Sequence, residues 1–97
     1  MRRTNAQSLK EILRDYFEDN TEMYEKIMEV SIQQAWERLL GPMAKQYTRT
    51  IYVRDRILYV YMNSAVLRSE LILCKDKLKD NINKEIKSAY LFDLIIR

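Results

Sequence analysis

The chain has 97 residues, 47% of them apolar and 32% charged, with a formal net charge of +3. That length supports one domain with a modest core, and that composition excludes a disordered chain. With no histidine, one cysteine and one glycine, an internal disulfide, the usual N/S zinc site, a P-loop and a dinucleotide fingerprint are excluded.

Met1-Arg2-Arg3-Thr4 is followed by polar residues, so no signal peptide is expected, and residues 1–7 read as a flexible N-terminus of a single domain over 1–97. From Ser8 to Asn20, Leu9, Ile12, Leu13, Tyr16 and Phe17 form one helical stripe, with Ser8 and Glu11 at capping-box spacing. Thr21 is positioned to cap the next helix, which runs to Leu40. Its apolar positions drift near Val30-Ser31, which allows a kink or a second helix there. Trp36, Leu39 and Leu40 lie at i, i+3 and i+4 and share one face. Gly41 suits the left-handed position just past a helix end, and Pro42 stops the helix and opens a further turn through Gln46. Trp36 reads as a core anchor, and Trp36, Leu39 and Gly41 as structural.

Tyr47 to Val53 is rich in Thr, Tyr, Ile and Val, which favour strands. Arg54-Asp55-Arg56 is the turn, and Ile57 to Met62 the second strand. Ile51 and Val53 share a face of the first strand, and Leu58, Val60 and Met62 a face of the second. Tyr52, Tyr59 and Tyr61 then point the other way, onto an open face. Ser64 caps a long helix carrying Leu67, Leu71, Cys74, Leu78 and Ile82, with Cys74 expected as a small buried hydrophobe. Tyr90 to Ile96 is the closing strand. The order ααββαβ defines an α+β fold: a small three-stranded sheet covered on one face by helices.

Charge is unevenly placed. Residues 4–37 hold three basic and eight acidic side chains, whereas residues 38–97 hold twelve basic and six acidic. This is either ordinary solvated charge or a basic face for phosphates beside an acidic face for a partner. The candidate phosphate contacts are Lys45, Arg49, Arg54, Arg56, Arg68 and Lys75. Five such contacts to a single strand would give a salt slope of roughly −3.5, at about −0.7 each. Tyr52, Tyr59 and Tyr61 form either cross-strand pairs that stiffen the hairpin or a stacking or partner-binding surface.

An enzyme is not expected, because the commonest general acid/base is absent and the paired acids fall on helix surfaces. No catalytic residue, metal or cofactor is assigned. No apolar run approaches the ~20 residues of a membrane span, and a lone cysteine fits a reducing cytoplasm.

The order Ala35-Trp36-x-x-Leu39-Leu40-Gly41, Ala44-Lys45-x-x-Thr48 and Ile51-x-Val53 resembles the DciA family of bacterial replicative-helicase loaders. So do Asp55, Leu58-x-Val60-x-Met62, Ser64-x-x-Leu67-Arg68-x-Glu70-Leu71, Ile82-Asn83 and Leu91-x-Asp93-Leu94-Ile95-Ile96. The resemblance spans roughly residues 8 to 97. It implies a KH-like domain that binds the replicative helicase and single-stranded or forked DNA and promotes helicase loading. It implies no ATPase activity, and a cytoplasmic, nucleoid-associated protein, here expected as a monomer or weak homodimer. The Gly-x-x-Gly loop of nucleic-acid-binding KH domains is impossible with one glycine. Arg56 replaces the family's turn glycine, so the turn is expected to take another geometry. Two other readings stand beside this one: an RNA-binding module, and a pure protein-interaction domain using the acidic helices.

Overall fold

The computed structural model describes residues 20–97. In chain order they form α1 (Thr21–Leu40), α2 (Pro42–Tyr47), β1 (Thr48–Arg54), β2 (Ile57–Met62), α3 (Ala65–Leu73), α4 (Lys75–Ile86) and β3 (Asp93–Ile96). The helix expected over Ser8 to Asn20 and the N-terminal residues 1–7 lie outside the described residues. The sheet order is β1-β2-β3, with β1 antiparallel and β3 parallel to β2. This is the expected small α+β fold.

α1 is one continuous helix, without the break allowed at Val30-Ser31. Thr21 is its first residue rather than its cap; Asn20 holds the cap position without a side-chain cap bond. Met28, Ile32, Ala35 and Trp36 are buried on the sheet side. Trp36 satisfies its indole by donating from Nε1 to Thr48 Oγ1 at 3.1 Å, as a buried polar atom requires. Leu39, in the last turn, stays 36% exposed, while Leu40 packs against the core. Gly41 ends the helix with φ 65° and ψ −144°, and its N–H bonds back to the Glu37 carbonyl. Glycine enters that conformation freely, whereas a Cβ makes it costly.

The core-facing residues of the sheet, Leu58, Val60, Met62, Leu94 and Ile96, meet Ile82 and Ile86 of α4 and the buried row of α1 in one cluster. Burial of this kind, at about 25 cal/mol per Å² of apolar surface, is the main force holding the layers together. β1 contains a bulge: Thr48 pairs with Met62 but Thr50 pairs with Tyr61, which leaves Arg49 as the extra residue. Strict alternation would place Arg49 on the core face. The bulge turns Thr48 to Trp36 instead and leaves Arg49 exposed.

The long helix after Ser64 is two helices. Ser64 caps the first as expected, accepting from the Leu67 N–H at 3.2 Å. Cys74, at φ −118° and ψ 26°, then breaks the chain direction, and it is exposed rather than buried. The spacing contains the reason. Leu67 to Ile82 is fifteen residues, so on a straight helix of 3.6 residues per turn Ile82 would lie roughly 60° off the Leu67 face. The break restores the aim of α4, which buries Ile82 and Ile86. The closing strand also starts later than expected, at Asp93. Asn83 holds the preceding segment, donating from Nδ2 to the Leu91 carbonyl at 3.1 Å and accepting the Leu91 N–H at 3.0 Å. Groups used in this way do not join the ladder.

Side chains cap part of both sheet edges. On β1, the Val53 N–H donates to Glu29 Oε2 at 2.9 Å, and the Ile51 carbonyl accepts from Gln33 Nε2 at 3.4 Å. On β3, Arg97 directs both its N–H and its carbonyl to β2. Alternation therefore points the groups of Leu94 away from β2. There the Leu94 N–H meets Asp93 Oδ1 at 2.7 Å and its carbonyl meets Lys75 Nζ at 3.3 Å.

Candidate nucleic-acid interface

The face of the sheet opposite the helices is ordered in cross-strand rows. Register places Tyr52 opposite Tyr59, and Tyr59 beside Ile95; Thr50 lies opposite Tyr61; Arg54 lies opposite Ile57, beside Asp93. The expected outward direction of Tyr52, Tyr59 and Tyr61 is what the register produces. All three are half-buried, packed against one another. The Tyr52 and Tyr59 ring centroids are 5.0 Å apart with planes 13° from parallel, and those of Tyr52 and Tyr61 are 6.3 Å apart at 18°. The rings form one stack, Tyr59-Tyr52-Tyr61, running diagonally across β1 and β2.

The hydroxyl ends of the stack are coupled. Interaction with the Tyr61 hydroxyl, then partial desolvation, raises Tyr52 above the ordinary 10.0. Tyr61 is lowered, first by the Tyr52 hydroxyl and then by Arg97. Arg97 is the residue of this face that sequence reasoning missed. Its signal is the alternation Asp93-Ile95-Arg97, legible once Leu94 and Ile96 are assigned to the core.

The six candidate phosphate contacts do not form one patch. Lys45 and Arg49 are exposed near the start of β1, and Arg68 is half-buried near the start of α3, which leaves the sheet from that same end. Arg54 is exposed at the far end of β1, about 17 Å from Arg49 at 3.4 Å per residue. Arg56 and Lys75 are engaged within the protein. Arg56 Nε donates to the Tyr90 carbonyl at 2.9 Å and Nη2 to the Ala89 carbonyl at 3.3 Å, and its guanidinium lies 5.2 Å from the Tyr90 ring centroid. Lys75 Nζ lies 3.4 Å from Asp93 Oδ1. The Leu94 N–H, first, and Lys75 hold Asp93 below its ordinary 3.8, against partial desolvation.

The turn also differs from expectation. Asp55 and Arg56 have φ of 54° and 65°. Positive φ at both central residues of a two-residue hairpin turn is the signature of type I′. The glycine-like geometry is therefore kept without a glycine, and the Arg56 contacts to residues 89 and 90 hold it.

Beside the turn, an open groove of ≈ 420 Å³ is lined by Glu22, Glu25, Glu29 and Asp55 against Lys26 and Arg54. Tyr90, on its wall, is raised above its ordinary value by burial first and Glu25 second. An acidic groove repels phosphate, so the hairpin end has mixed charge. Leu73 is 84% and Phe92 75% exposed, two residues before Lys75 and one before Asp93 in the chain. Among the described residues no group of side chains could hold a metal ion, and no helix is long and apolar enough to cross a membrane.

The family model described as Dna[CI] antecedent, DciA matches residues 8–96. No curated protein and no solved structure matches the chain.

Proposed function

We propose, for a chain that belongs to the DciA family, a role as a non-catalytic accessory of bacterial DNA replication that binds the replicative helicase and promotes its loading. The observation that carries this reading is the extent of the match, which takes in every described element from α1 to β3. A cytoplasmic, nucleoid-associated location follows from the same reading. The DNA component, single-stranded or forked, rests on electrostatics. Residues 38–97 carry twice as many basic as acidic side chains, and Lys45, Arg49 and Arg54 are exposed.

The first test mixes the protein with the replicative helicase of its own organism and measures mass by size-exclusion chromatography with light scattering. A complex heavier than the helicase alone is expected. An intact helicase that elutes without this protein would defeat the proposal. Titrating single-stranded DNA and RNA of one sequence in parallel separates this reading from an RNA-binding module, which predicts a strong RNA preference.

A further inference from the structure

We infer that the open face of the sheet grips the sugar-phosphate backbone of single-stranded DNA through tyrosine hydroxyls, flanked by Arg54 and Arg97, and does not stack on the bases. The inference rests on the DNA-binding reading above and specifies its mode.

Ring geometry carries it. A base inserted between two aromatic rings needs them roughly 7 Å apart, twice the 3.4 Å rise of stacked bases. The Tyr52–Tyr59 and Tyr52–Tyr61 centroids are 5.0 Å and 6.3 Å apart and nearly parallel. The inner ring faces are therefore already used by one another, and both faces of Tyr52 are covered. Stacking platforms for single strands need a ring face that is open to a base. The stack leaves a base only the outer faces of the half-buried Tyr59 and Tyr61, beside the ring edges and hydroxyls.

The hydroxyls suit an anion. The Tyr61 hydroxyl is acted on by both Tyr52 and Arg97, and a phenol hydroxyl can donate to an anion while its oxygen accepts. Arg54 stands at one end of the stack, close enough to Tyr52 to act on it electrostatically, and Arg97 at the other. The rows from Arg54 to Thr50 cover about 14 Å of strand. The one acid in these rows, Asp93, is held by Lys75 and the Leu94 N–H. Hydroxyl donors between two guanidinium groups, with the Asp93 carboxylate already paired, match a run of phosphates in charge and hydrogen-bonding sense, and the acidic groove beside the turn bounds that match at the Arg54 end. Contacts of this kind do not discriminate sequence.

The test uses the whole chain, a fluorescent oligo-dT and a strand of the same length built from abasic units. The abasic strand should bind within about threefold of oligo-dT. The triple variant Y52F/Y59F/Y61F keeps every ring and loses only hydroxyls; it should bind oligo-dT at least about tenfold more weakly, with an unchanged salt slope. Arg97→Ala should lower the slope by about 0.7. Thermal melts of each variant check that the domain remains folded. Wild-type affinity in the triple variant, together with loss of binding to the abasic strand, overturns the inference in favour of base stacking. Unchanged affinity in both the triple and the Arg97 variants overturns it by removing this face from the site. A wild-type protein that binds the helicase but neither strand overturns the DNA reading as well, and the two failures are thereby distinguishable.

Discussion

Along β2, Leu58, Val60 and Met62 are sealed beneath the helices, whereas Ile57, Tyr59 and Tyr61, the alternate residues, remain half-open on the other side. The first set is aliphatic or thioether and touches the core cluster. The second is mostly aromatic and hydroxylated, and packs along the surface. One strand thus carries core packing on its even positions and, on the proposal above, contact chemistry on its odd ones. Substitutions on the two faces should separate accordingly: large stability effects with no specific binding phenotype on one, binding effects with little loss of stability on the other.

The strongest way to break that division is to attack the core face from the helix side. Trp36→Ala should cost about 3–5 kcal/mol, the range for deleting a buried large side chain. It also removes the partner that Thr48 holds at the start of β1. Denaturant unfolding followed by far-UV circular dichroism measures it, and a loss below about 1 kcal/mol would mean that Trp36 is no anchor. Next, Gly41→Ala should cost about 1–3 kcal/mol. A Cβ at Gly41 meets nothing within 4 Å, so this loss would come from the backbone conformation alone.

The hairpin turn sharpens the comparison, because it holds one arginine of each kind. Arg56→Ala should lower stability by about 1 kcal/mol by releasing the 89–90 segment, and should leave the DNA salt slope unchanged. Arg54→Ala should do the reverse, flattening the slope by about 0.7 with almost no change in stability. The smallest effect is expected at the β3 edge. Asp93 titrates lower in the folded chain than when unfolded, so its ion pair and N–H bond favour the fold above about pH 3.8, and that contribution disappears as pH falls through the folded value. Both partners of the pair are more than a third exposed. Asp93→Asn should therefore lose no more than about 1 kcal/mol at pH 7. The difference from wild type should vanish in melts well below pH 3.8.

Much of this architecture is legible in the sequence because local signals and tertiary demands coincide. The Thr-, Tyr- and Ile-rich runs become β1 and β2, Ser64 caps its helix, and Gly41-Pro42 ends α1 and starts α2. Errors arise where a tertiary contact overrides a local pattern. Leu67, Leu71, Leu78 and Ile82 keep helical spacing across Cys74, and no glycine or proline announces the break; only the accumulated rotation does. Tyr90 and Leu91 have strand-like composition, but the Asn83 amide takes the Leu91 backbone groups first. In the candidate site the tyrosines were legible from alternation. The fate of Arg56 and Lys75 was not, because their partners, Tyr90 and Asp93, lie 34 and 18 residues away.

The capped sheet edges have a consequence for assembly. An unprotected border strand invites any extended peptide to zip on, including another copy of the same chain. Here Glu29 and Gln33 occupy that seam on one side, and Asp93 and Lys75 occupy it on the other. Copies of the protein brought close together therefore find part of that backbone seam already taken.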